Sequence, residues 1–222
     1  MRSFKDIYNT ACLHKGGERM VESRLPVCFS EAELCAKPDS QYLSAMSLRI
    51  FRAGLKHSMV DAKWPAFEAL FGGFSPMFCA HLSDDFIEQA MSNRDIIRHM
   101  GKLKAIRTNA QLVVELSEEH DGFGRFVSQW PVSGIVGLWL YLKKNGAHLG
   151  GGSSAAFLRA VGKDTFMLTN DVIAVLKAEA VVDKSPSSKR DLDAVQAAFN
   201  AWREESGRPL CEISRIVSMT AM

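Results

Sequence analysis

Residues 138–162, LWLYLKKNGAHLGGGSSAAFLRAVG, read as a helix, a glycine-rich turn and a second helix. The first helix is expected to stop at Asn145-Gly146, because both residue types tolerate the left-handed conformations that end helices. Gly150, Gly151 and Gly152 permit a turn with positive φ and the close approach of another backbone. Ser153-Ser154 supply oxygens that can cap the helix carrying Phe157, Leu158 and Val161. A helix N-terminus preceded by glycines presents unpaired amides and the positive end of the helix dipole, which suits a phosphate oxygen. The same composition also serves as a plain connection between helices, so the stretch by itself leaves both roles open.

The pattern outside this stretch is helical as well. Ser30 and Glu33 have the spacing of a capping box, and Ser83 precedes two acids in DDFIEQAM. Ser206 stands shortly before Pro209, which is expected early in a last helix that Ser206 would start. Leu192, Val195, Phe199 and Trp202 fall on one stripe at helical spacing, as do Leu210, Ile213 and Val217, so two amphipathic helices with core-facing stripes are expected. Alternating runs of Val, Ile and Thr bounded by turn residues are hard to find. The expected fold class is therefore all-α. KSPSSKR, around Pro186, reads as a polar loop and a candidate lobe junction.

The 222 residues are 47% hydrophobic and 23% charged with a formal net charge of +2, which excludes disordered, collagenous and membrane-spanning classes. At roughly 100–200 residues per domain, one large domain or two closely packed lobes are expected. Five cysteines (Cys12, Cys28, Cys35, Cys79 and Cys211) contain no Cys-x-x-Cys, so neither a disulfide framework nor a zinc ribbon is expected, and a reducing cytoplasm fits best. The start, MRSFKDIYN, carries charge where a signal peptide needs an apolar core. The longest apolar stretch, Val132–Leu142, falls short of the ~20 residues that span a bilayer, so no membrane insertion is expected.

Ile96–Ala110, IIRHMGKLKAIRTNA, contains Arg98, His99, Lys102, Lys104 and Arg107 and no acid. Such a run can meet phosphates, or it can form a solvated helix face whose acids lie elsewhere in the fold. It resembles the Ile-Ile-Arg-His-Arg-Gly-Lys-Ile-Gln-Ala-Ile-x-x-Asn-Ala block of the 3-methyladenine DNA glycosylase I family, within the helix-hairpin-helix superfamily. AlaGlyLeu at 53–55 and LKKNGAHLGGG at 142–152 match further blocks of that family, in the same order.

The resemblance implies one helical glycosylase-like domain over residues 1–222, with a helix-hairpin-helix element at about 134–162. It implies a monofunctional DNA N-glycosylase of base-excision repair, which hydrolyses the bond between deoxyribose and an alkylated, 3-methyladenine-like base with water as nucleophile. The alternative is a catalytically inactive or altered-specificity helix-hairpin-helix DNA-binding protein. The implied partner is double-stranded DNA holding a damaged base, met by a monomer without a cofactor. His148, Gly150, Gly151, Gly152, Ser153 and Ser154 would grip the DNA backbone, with Arg52 and Lys102 as further strand contacts. Leu55 would fill the gap left by the extruded base. Tyr42 and Trp64 are candidate aromatic walls of the base pocket, Trp64 standing just before Pro65, which reads as a helix start. Asp171, in TNDV, lies about two residues from the place where superfamily members carry a catalytic aspartate. A carboxylate there can polarise a water or stabilise an oxocarbenium-like sugar, although it also suits the first turn of a helix through the dipole alone.

Two positions depart from the family. Four residues before AlaGlyLeu the family has a glutamate and two residues after it a tryptophan, where this chain has Arg49 and His57. A guanidinium about 5 Å from a cationic base, at an effective dielectric of about 20, costs roughly 3 kcal/mol. Arg49 and His57 therefore imply a pocket for a neutral or electron-rich base, unless Arg49 turns outward to Asp39 or Asp61. The family's zinc ligands have no counterparts, since Cys12 and His14 are a lone Cys-x-His, and no metal is expected.

Overall fold

The computed structural model describes residues 1–221, and among them helices and turns occur without any strand. In chain order the helices are α1 (Phe4–Lys15), α2 (Glu18–Glu22), α3 (Glu31–Ala36), α4 (Asp39–Arg52), α5 (His57–Leu70), α6 (Pro76–Ala80) and α7 (Asp84–Ala90). They continue with α8 (Met100–His120), α9 (Phe123–Gln129), α10 (Ile135–Asn145), α11 (Ser153–Val161), α12 (Asn170–Ala178), α13 (Lys189–Ser206) and α14 (Leu210–Ser218). The all-α expectation holds. Among the described residues, no helix is long and apolar enough to cross a membrane.

The chain forms two compact units, each assembled from separated segments. The first takes Met1–Phe29, Pro131–Leu138 and the chain from Gly162 onward; the second takes Ser30–Trp130 and Trp139–Val161. The loop around Pro186 is therefore not a junction. It connects α12 to α13 inside the first unit, and residues 134–162 contribute to both units.

In the first unit α1 lies against α13 and α14, and α14 lies against α12 and α13. The predicted stripes form this core except at Leu192, which is only half-buried: Val195, Phe199, Trp202, Leu210, Ile213 and Val217 are fully buried, and Phe166 stacks on Phe199 with ring centroids 4.3 Å apart. Chain ends meet here. Trp202 Nε1 donates to the Arg2 carbonyl at 3.2 Å, Glu205 accepts the amide of Phe4 at 2.8 Å, and Arg2 pairs with the buried Glu179 at 2.6 Å. Ser206 does not start the last helix. It ends α13, returning its hydroxyl to the Trp202 carbonyl at 2.7 Å, with Gly207 at φ 68° closing the helix. The amides that open α14 are met instead by Asp164, which accepts from Leu210 at 3.1 Å and Cys211 at 2.8 Å. The sulfurs of Cys28 and Cys211, 183 positions apart, come together in this unit, a meeting that no local cysteine spacing announces.

The second unit is organised around α8, which contacts α4, α6, α7 and α9. The capping box at Ser30 and Glu33 is formed, and Ser83 caps α7 through the Phe86 amide at 3.1 Å. Pro65 is not a helix start: it lies inside α5, which begins at His57, so it removes one internal hydrogen bond. Trp64 beside it stacks on Phe67 and Phe74, with centroids 4.9 and 5.2 Å apart.

Candidate functional site

The site is built from the N-terminal half of α8. His99 caps this helix, its Nδ1 accepting the Lys102 amide at 3.2 Å. Lys102 points inward: its Nζ donates to the carbonyls of Ala53 at 2.7 Å and Phe51 at 3.3 Å, at the end of α4. Those carbonyls have lost their helical partners, and an ammonium is a strong donor for them. Burial lowers the Lys102 pKa below the usual lysine value. Two helical turns later Asn109, fully buried, clamps Ala147 by accepting its amide at 2.8 Å and donating to its carbonyl at 3.1 Å.

AlaGlyLeu thus forms a braced turn. The Ala53 amide closes α4 on the Arg49 and Ile50 carbonyls, Gly54 takes φ 77°, and the Leu55 amide returns to the Arg52 carbonyl at 3.2 Å. Arg52 pairs with Asp61 of α5 at 2.7 Å, closing the turn from its outer side. Leu55 is half-buried and His57 is exposed.

The hairpin is braced in the same way. A Cβ at Gly146 would lie 2.6 Å from Leu149 Cδ1 and 2.9 Å from Asn109 Oδ1, so only glycine lets the Asn109 clamp close. Ser154 donates to the Leu149 carbonyl at 2.6 Å. Gly151 has φ 56°, and Gly151 and Gly152 are exposed with open space where a Cβ would stand. His148 is exposed at φ 58°, its ring edge-on to His99 with centroids 6.5 Å apart.

Several expected contacts have other work. Lys102 is buried and committed to carbonyls, so it is not a strand contact, and Ser154 is fully buried with its hydroxyl turned into the hairpin. Ser153 is buried at the start of α11. Tyr42 is fully buried, donates to the Leu34 carbonyl at 2.8 Å and meets the edge of Phe123, a core position in which burial pushes its phenol pKa up. Trp64 donates to Ser44 at 3.1 Å and borders a pocket of about 300 Å³ with Leu48 and Glu68. Within the basic run, Arg107 pairs with Asp84 at 2.8 Å, while Arg98, His99 and Lys104 stay exposed.

Arg49 is half-buried, and its Nε is buried without a hydrogen-bond partner among the described residues. Neither expected acid takes it: Asp61 holds Arg52, and Asp39 accepts the Phe123 amide at 3.1 Å. Asp171 is an exposed carboxylate in the first turn of α12, whose cap is Thr169, and it belongs to the first unit. Among the described residues one trio of potential metal donors comes together, Cys28, Asp164 and Cys211, with its two sulfurs against each other and its carboxylate receiving the α14 amides.

Asn109 was not singled out by the sequence reading, although its signal is present. Lys102, Ile106, Asn109 and Val113 share one helical stripe with Leu103 and Ala110, so two polar residues fall on an apolar face.

The family model for methyladenine glycosylase matches residues 33–139, which hold α4, the AlaGlyLeu turn and α8. This segment of the chain, just under half of its length, is therefore similar to the methyladenine glycosylases. DNA-3-methyladenine glycosylase 1 of Escherichia coli K12 is 32% identical over 76 residues, covering 34% of this chain and 41% of that protein. The chain thus spans less than half the length of that curated relative. A crystal structure of 3-methyladenine DNA glycosylase I superposes with a TM-score of 0.50 at 26% identity, covering 56% of this chain and 79% of the other. The 8-oxoguanine glycosylase/lyase of Methanocaldococcus jannaschii, crystallised with DNA containing 8-oxoguanine, matches 95% of this chain and 94% of its own. Its TM-score is 0.52 at 16% identity, which extends the likeness of fold to nearly the whole chain. The fold is that of the helical, helix-hairpin-helix DNA glycosylases.

Proposed function

We propose that this protein is a monofunctional DNA N-glycosylase of base-excision repair, acting on an alkylated base in double-stranded DNA. The observation that carries this reading is the pairing, in a chain whose residues 33–139 match the methyladenine glycosylase model, of a braced AlaGlyLeu turn with an exposed glycine hairpin. Gly151 and Gly152 let a phosphate approach the hairpin backbone and the start of α11. Leu55, half-buried at the tip of its turn, is the apolar side chain that takes the place of an extruded base.

In the proposed reaction the bond between the base nitrogen and the sugar C1′ breaks, and the base leaves with the electron pair and, being neutral before cleavage, takes up a proton from solvent. Water adds to the oxocarbenium-like carbon and loses a proton. Asp171 stabilises the positive sugar and receives that proton. Lys102 is not available as an amine nucleophile, because its ammonium is committed to two carbonyls, which favours water in that role. Arg49 brings an unmet N–H donor, and in the base pocket it would favour a neutral alkylated base with an acceptor atom over a cationic one.

The test is release of free bases from alkylated duplex DNA, separated chromatographically, by the wild type and by Arg49→Glu. The wild type is expected to release a neutral alkylated base. Arg49→Glu is expected to shift the preference toward cationic bases by well over 100-fold, because removing a penalty of roughly 3 kcal/mol alone sets about that ratio and the carboxylate adds an attraction of similar size. Salt-sensitive duplex binding without release of any base would overturn the glycosylase reading in favour of a non-catalytic DNA-binding protein.

A further inference from the structure

We infer that Lys102 and Asn109 are positioning residues which set both DNA-facing turns from a single face of α8; the inference rests on the reading of those turns as the DNA contacts. Seven residues apart, they point to the same side of the helix. Lys102 addresses the backbone at 51 and 53, ahead of Leu55, and Asn109 addresses the backbone at 147, inside the hairpin. Neither makes a hydrogen bond to a side chain through its own side chain. An amide side chain that answers both the N–H and the C=O of one residue fixes the orientation of that residue's backbone.

Among the described residues the Lys102 ammonium forms no ion pair, and Asp61 of α5 is held by Arg52. A buried ammonium among carbonyls is costly compared with an apolar chain of similar length, and what it adds is a fixed geometry for residues 51–55. Because one rigid helix carries both braces, Leu55 and the hairpin keep a constant offset. That offset lets the apolar tip enter the duplex while the hairpin holds the phosphates.

Fluorescence anisotropy tests this with two duplexes of one sequence, one intact and one carrying a single tetrahydrofuran abasic-site analogue. The wild type should prefer the abasic duplex. Lys102→Met should lose that preference by about tenfold while keeping its affinity for the intact duplex, and adding Leu55→Ala should cause no further loss. Asn109→Leu should weaken both duplexes alike and flatten the dependence on salt. Lys102→Gln, which keeps one short donor, should show the same loss as Lys102→Met and takes its place if that variant lacks a helical circular-dichroism spectrum. The inference is overturned if the Lys102 variants keep the preference, weaken both duplexes equally, or add fully to Leu55→Ala. A wild type with no salt-sensitive binding overturns the DNA reading itself, a result distinct from failure of the variants.

Discussion

In the first unit the chain ends are fastened by ion pairs: Arg2 with Glu179, and Arg208 with Glu22 and Glu212 at 2.6 and 2.8 Å. In the second unit the buried fastenings of the two turns involve no carboxylate. They are Lys102 on two carbonyls, Asn109 on Ala147 and Ser154 on Leu149. Charged latches suit the bundling of sequence-distant helices, since they tolerate small shifts of long side chains. Hydrogen bonds to backbone atoms set the course of a turn, which is what a surface that reads DNA requires. The two units should therefore respond differently to cavities, to lost partners and to acid.

The largest effect is expected from Phe199→Ala, which empties the stack on Phe166 in the first unit and should cost about 3–5 kcal/mol. Hydrogen exchange should then show α13 and α14 losing protection ahead of α8; equal loss in both units would dissolve the distinction. Asn109→Leu comes next. It leaves the Ala147 amide and carbonyl unpaired and should cost about 2–3 kcal/mol in denaturant unfolding. Gly151→Val should cost only about 1 kcal/mol, through its positive φ, because open space surrounds the site. It should nonetheless weaken DNA binding, and unchanged affinity would remove the hairpin from the interface.

The smallest effect is that of acid on the first unit. Burial alone would raise the pKa of Glu179 and Glu22, but hydrogen bonds from Arg2 to the one, and from Arg208 and Tyr8 to the other, outweigh it and hold both below the usual 4.5. A carboxyl depressed in the folded state contributes stability above its unfolded pKa and loses it as pH falls through its folded pKa. Exchange at α1 and α14 should therefore quicken between about pH 5 and pH 3, while the Asn109 and Ser154 bonds, which do not titrate, keep their protection. The change is modest, because these pairs are partly exposed and screened.

Several local signals were readable in the sequence where both partners lie within one turn of chain, although Ser206, whose partner Trp202 is as near, was not among them. Ser30 with Glu33, Ser83, and, Leu192 apart, the stripes of α13 and α14 all stand as expected. Readings failed where the partner is remote. The cap of α14 is Asp164, 46 positions before Leu210, and Cys28 finds Cys211 across almost the whole chain. Lys102, beside Gly101 at a helix start in a run without acids, reads as a phosphate contact, and only its place on the stripe of Ile106 and Val113 marks it as buried. Tyr42 was expected at the base for being aromatic, but the Leu34 carbonyl claims its hydroxyl. Arg49 pairs with neither Asp39 nor Asp61, which have other partners.

The central proposal is that the AlaGlyLeu turn and the hairpin contact DNA and that Asp171 serves the chemistry. The most direct measurement is base release from alkylated duplex and affinity for abasic duplex, taken on the same preparations of wild type and Asp171→Asn. The account predicts that the variant keeps the affinity and loses release. A variant that releases base as well as the wild type, or that loses affinity and release together, would contradict it.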